Sequence, residues 1–305
     1  MRSALAGLAA IALTTLAMGL DAGFAAWAVL RTAAGVASAW VLIHTSAWCL
    51  ERLAPLQRPL LNGAVFAGVG PGIVVAGALC LVLMAARASS ASAWLALGLV
   101  SLATTVAVWP VLASGGAAAP PARAAQRWTS EQVRLVLAYG AYGFGYIIPA
   151  TFLPVMARQV IEDPAVFGWA WPVFGAAAAV STLAVVPLSQ RYGNRAAWIG
   201  SQLVMALGVA APIAWPGIAG IVLAALCVGG TFVVITLGGM QEARTAAGPH
   251  AAGLMAAMTA AFAAGQVVGP LAVSFLLGAS GGFAGALLFA CAVLVLGAAL
   301  LLRPR

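Results

Sequence analysis

Two groups of residues have the types and spacing to do chemistry within otherwise apolar sequence. The first is built on Arg31, the only arginine well inside an apolar run, with Gly35, Ser38 and Thr45 at +4, +7 and +14. Those steps draw one polar stripe down a helix. A charge inside a membrane is costly and by default marks a functional site. The competing reading is an Arg31 that snorkels to the lipid headgroups near Asp21. The second group is Tyr139, Tyr142 and Tyr146, at i, i+3 and i+7 on one helix face. Tyrosine joins an aromatic face to a hydroxyl, which suits an amphiphilic organic molecule. Gly140, Gly143 and Gly145 lie among the three, and Pro149 and Pro154 follow, so this helix is able to bend. An interfacial aromatic belt is the alternative, but the stripe runs toward mid-span. Thr231, Thr236 and Gln266 are weaker lining candidates that ordinary interhelical hydrogen bonding explains equally well.

Other reactive types lead nowhere. No Asp or Glu is placed deep in an apolar run, so no proton-carrying carboxylate is evident. His44 follows Arg31 by 13 residues, about 220° around a helix, off the polar stripe. It reads as a buried, hydrogen-bonded histidine. Cys49, Cys80, Cys227 and Cys291 sit singly in apolar runs without CxxC pairing, and free thiols are expected rather than a metal site or disulfides. No metal and no cofactor is expected. "GASGG" at Gly278–Gly282 has the form of a serine-protease turn. A serine nucleophile needs a base beside it, and the histidines, His44 and His250, are not placed to serve Ser280. A tight turn between helices accounts for it, and an intramembrane serine protease is the third-ranked reading.

The elements that must position these residues are long apolar helices. Of 305 residues 64 % are hydrophobic and 7 % charged, with mean hydropathy +1.08, whereas a soluble domain carries roughly a quarter charged residues. Runs of about 20 apolar residues cross a hydrocarbon core as helices, because there the backbone must satisfy its own hydrogen bonds. The chain is therefore an all-α, polytopic helical membrane protein with membrane lipid as a partner. Ten spans are expected: 3–20, 24–50, 60–86, 92–113, 129–157, 165–188, 196–214, 217–240, 251–278 and 281–302. "SGGAAAPPARAAQR", 114–127, is the one linker, separating four spans (1–113) from six (129–305). Thr129 or Ser130 is the expected N-cap of the fifth span, with Glu131 in its first turn.

The net charge of +8 comes without a single lysine. With the N-terminus inside, the cytoplasmic segments hold Arg2, Arg52, Arg58, Arg123, Arg127, Arg191, Arg195, Arg244, Arg303 and Arg305, and the outer loops hold Arg87 and Arg158. Ten against two places both termini in the cytoplasm. It also explains the basic charge without a nucleic-acid partner.

The chain also repeats itself. "NRAAWIG" at Asn194–Gly200 echoes "MRSALAG" at the start, an offset of 193 residues, and "VGPL" at 268–271 echoes "VGPG" at 69–72, an offset of 199. The first four spans repeat the last four. Two further spans precede the repeated part in the second half alone, so a six-plus-six protein lacking its first two helices is expected. The pairs Gly68/Gly72 and Gly265/Gly269, with Gly70, Pro71 and Pro270 beside them, read as close helix packing.

Two six-helix halves joined by a cytoplasmic linker resemble the major facilitator superfamily. "VPLSQRYGNR" is similar to that superfamily's loop G-x-L-A-D-R-x-G-R-R and keeps Leu188, Arg191, Gly193 and Arg195, but lacks the motif's Asp. "LRTAAG" is similar to R-x-x-x-G of the fourth helix, matched by Arg31 and Gly35. "LAYGAYGFGYIIPATFLPVMAR", "GGTFVVITLGGMQEAR" and "MTAAFAAGQVVGPL" resemble the bacterial YbfB/YjiJ-like subfamily. The resemblance implies the superfamily fold with helices three to twelve of twelve, and secondary transport of a small-molecule substrate. It further implies a monomer in the bacterial inner membrane, no enzymatic activity, and a cytoplasmic gate at Leu188, Arg191, Gly193 and Arg195. The alternative is a non-transporting remnant or mis-started product.

Overall fold

The computed structural model describes residues 2–20, 22–53, 68–114, 128–160, 168–280 and 283–302. The linker beyond Ser114, Asp21, Arg58, Arg303, Arg305 and the end of "GASGG" lie outside the described residues. Among the described residues there are ten α-helices and no strand. They are α1 (Arg2–Ala17), α2 (Gly23–Leu53), α3 (Val69–Ala85), α4 (Ser90–Ala113), α5 (Ser130–Val160), α6 (Ala170–Tyr192), α7 (Asn194–Ala214), α8 (Ile218–Ala247), α9 (Ala251–Ser280) and α10 (Ala284–Leu302). Eight are long and apolar enough to cross a membrane; α1 and α3 are shorter.

Local chemistry explains the ends. Thr129 is the N-cap of α5: its hydroxyl accepts from the Gln132 amide at 3.2 Å, while the Gln132 side chain accepts from the Thr129 amide at 3.2 Å. This reciprocal box satisfies two amides that the first turn leaves unpaired. Ser89 caps α4 by accepting from Ser92 N at 3.1 Å. At the end of α3, Ala88 N reaches back to Leu83 O at 2.9 Å, with Arg87 at φ +56°. That is a left-handed helix stop made without glycine. A single residue, Gly193 at φ +82°, joins α6 to α7.

The chain forms two compact units, 1–65 with 78–120, and 66–77 with 121–305. Residues 66–77 thus fall with the later unit rather than with the first four expected spans. In the first unit α1 packs on both α2 and α4. Gly7 faces Val41, and Gly98 faces Leu16. No residue of α2 from Gly23 to Thr45 is buried, as suits a helix turned to lipid or to water.

In the second unit α5 packs on α9 and α10, α8 on α6 and α7, and α7 on α10. Small residues let backbones touch. A Cβ on Gly143 would overlap the Phe262 carbonyl, and one on Gly265 would lie 2.5 Å from the Gly140 carbonyl. The start of α3 meets α6 in the same way, Gly70 against the Ala179 backbone and Gly77 against Pro172. Gly68 and Gly72 have no atom within 4 Å of a Cβ position, so of the expected glycines here Gly70 packs, joined by Gly77. A helix buries only one face, and here that face is one carrying 70 and 77. Gly269 does pack, against Ile147. Gln202, fully buried, accepts from Trp198 Nε1 at 2.7 Å and donates to Leu294 O at 2.9 Å.

Candidate functional site

The tyrosine stripe of α5 is assembled inside the second unit. Tyr139 and Tyr142 are 3 % and 0 % exposed. Tyr139 meets Tyr142 edge-on at 5.4 Å between ring centroids and Trp198 at 5.8 Å. Tyr142 lies 4.9 Å from Phe262, and Tyr146 lies 4.7 Å from Phe232 and 6.2 Å from Phe174. The result is a column of rings contributed by α5, α6, α7, α8 and α9. Rings at these separations and tilts gain electrostatically as well as by area.

The Tyr142 hydroxyl at the centre of the column is paired. The Tyr142 hydroxyl donates to the Phe232 carbonyl at 3.1 Å and lies 3.2 Å from Thr236 Oγ1, which itself donates to Phe232 O at 2.9 Å. Thr236 is therefore drawn into the tyrosine cluster. Thr231 is not: its hydroxyl bonds to Cys227 O at 2.6 Å within its own helix. Gln266 is partly exposed on α9. Gly239 on α8 is a member that spacing did not reveal. A Cβ there would lie 2.7 Å from Tyr139 Cε2, so the missing side chain is what admits the ring.

In the first unit Arg31 is exposed and its guanidinium lies 5.4 Å from the centroid of the Trp94 ring on α4. Gly35 and Ser38 are exposed beside it, and Gly35 has no atom within 4 Å of a Cβ position. Thr45, half-buried, continues the stripe. His44 stacks on Trp40 with ring centroids 5.4 Å apart, and its Nδ1 is 2.8 Å from Trp40 O.

The "SQRYGNR" residues surround the α6–α7 junction. Leu188 and Arg191 end α6, and Arg191 lies over the Tyr192 ring at 5.4 Å. Arg195 turns inward. Its NH1 is 2.8 Å from Glu131 Oε1 and 3.8 Å from Glu242 Oε2, and its Nε donates to Leu301 O at 2.8 Å. One guanidinium thus ties together α5, α7, α8 and α10. Glu242 is 3 % exposed. The sequence reading ended the eighth span at residue 240, but α8 continues to Ala247 and carries Glu242 into the bundle. The four cysteines are free and half-buried.

The family model described as "uncharacterised MFS-type transporter YbfB" matches residues 1–302. None of the curated proteins matches the chain by sequence. Among solved structures, a variant of the E. coli fucose:proton symporter FucP is similar at TM-score 0.66 and 13 % identity, covering 99 % of this chain and 84 % of that one. The human organic anion transporter MFSD10 (TETRAN) is similar at TM-score 0.60 and 15 % identity, covering 98 % and 76 %. At such identities the likeness is one of fold.

Proposed function

The chain belongs to the YbfB family of MFS-type transporters, and from that premise we propose that it carries a small organic solute across the bacterial inner membrane by alternating access. The observation that carries this reading is the ring column of Tyr139, Tyr142 and Tyr146 with Phe232, Phe262 and Thr236. It sets hydroxyl-bearing rings side by side inside the second unit, with Tyr146 its partly exposed member, and Gly140, Gly143, Pro149 and Pro154 let the helix that bears it bend. Arg31, Ser38 and Thr45 are solute contacts on α2 of the first unit. The Arg195 clamp is the fixed part of a cytoplasmic gate formed with Leu188, Arg191 and Gly193. The protein works as a monomer, with both termini in the cytoplasm and no chemical step.

Two measurements test this. Proteoliposomes holding the full chain are offered radiolabelled sugars, organic acids and hydrophobic cations, and uptake of one of them above empty vesicles is expected. No movement of any class would remove the transport reading. For orientation, a cysteine placed in the 114–127 linker is shielded from membrane-impermeant thiol reagents in intact cells, and one at Ser280 is labelled. Reversed labelling overturns the topology.

A further inference from the structure

Arg31 poses a chemical question that the ring column does not answer. Eight residues past the start of α2, its Cα lies about 12 Å along the axis, and Trp94 is about 6 Å along α4. The guanidinium lies over an indole face, 5.4 Å from the ring centroid. No carboxylate among the described residues is paired with it. A guanidinium holds five donors, and a ring face satisfies its charge but none of its N–H groups. One turn further in, Gly35 leaves open space on the same face, with Ser38 below it.

We propose that Arg31 and Trp94 form a binding site for an oxyanion, and that the transported solute bears a carboxylate. The planar fork takes both carboxylate oxygens in parallel, the indole supports the fork, and the exposed face at Gly35 receives the body of the solute. The site deepens the transport reading and rests on it. A phospholipid phosphate has the same chemistry, but open space below the guanidinium, away from the headgroups, favours a solute.

The full chain in phosphatidylcholine nanodiscs is tested by equilibrium dialysis with benzoate, hexanoate and malate, and with benzyl alcohol and hexanol as uncharged counterparts. At least one carboxylate is bound, and neither alcohol. Arg31→Gln weakens that binding at least tenfold, and Arg31→Lys weakens it less. Gly35→Glu is the variant that does not depend on tolerating a lost charge. It places a carboxylate one turn from Arg31 in open space, and it abolishes binding of the anion while raising the melting temperature. Three results overturn the proposal: no carboxylate bound by the wild type, an alcohol bound as well as its acid, or Gly35→Glu and Arg31→Gln binding as the wild type does. Native mass spectrometry supplies the lipid arm. A phospholipid retained by the wild type, lost in Arg31→Gln and not displaced by carboxylate assigns the site to a headgroup and overturns the solute. Uptake of a neutral solute untouched by Arg31→Gln removes this site and leaves transport standing.

Discussion

Replacing Arg195 by alanine removes a group that four helices share. Two of its contacts are charge-assisted or close to it, the 2.8 Å pair with Glu131 and the 2.8 Å bond to the Leu301 carbonyl, and such bonds contribute roughly 1.5–3 kcal/mol each. The third, Glu242 at 3.8 Å, is worth about 4 kcal/mol of attraction at an effective dielectric of 20, most of it already spent on burying the two charges. Deleting one partner of a buried pair costs about 3–5 kcal/mol because a charge is left behind in a poor solvent. Arg195→Ala is therefore expected to cost about 3–5 kcal/mol. The measurement is equilibrium unfolding in mixed micelles of wild type, Arg195→Ala, Glu242→Gln and the double variant. The double variant should be less destabilised than the sum of the singles, because neutralising Glu242 removes the stranded charge. Wild-type stability in Arg195→Ala, or strict additivity, would refute the clamp.

Other outcomes follow from the same contacts. Tyr142→Phe loses a buried hydroxyl bonded to Phe232 O and should cost about 1 kcal/mol, read in the same unfolding assay. Gly239→Ala pushes a methyl group into the Tyr139 ring; overpacking of this kind costs about 1–3 kcal/mol, and Tyr139→Leu in the same chain should restore part of it. Gly70→Ala should destabilise while Gly72→Ala, in open space, is neutral or gains about 0.5–1 kcal/mol of helix propensity; melts in which the two behave alike would undo the α3–α6 seam.

Much of the architecture is legible in the sequence because lipid leaves the backbone so few options. Each expected span has its helix, and the i, i+3, i+7 rule puts three tyrosines on one face since the periodicity is a property of the helix itself. What surrounds that face is another matter. Gly239, Trp94 and the acids around Arg195 are distant in sequence from the residues they serve, and no local pattern carries a contact between helices. Gly68/Gly72 and Gly70/Gly77 are equally plausible seams by spacing, and only the rotation of α3 about its axis decides between them. Glu242 escaped notice because hydropathy reports where lipid ends, whereas hydrogen bonding carries α8 on through Gln241, Glu242 and Arg244.

The single glycine between α6 and α7 has a consequence for biogenesis. A junction of one residue holds no slack, so neither helix can reach its final depth ahead of the other by paying out loop. The depth of one helix is therefore tied to the depth of the other, with "RYGNR" at the junction. Widening the junction by a few flexible residues would let the two helices take up their depths independently.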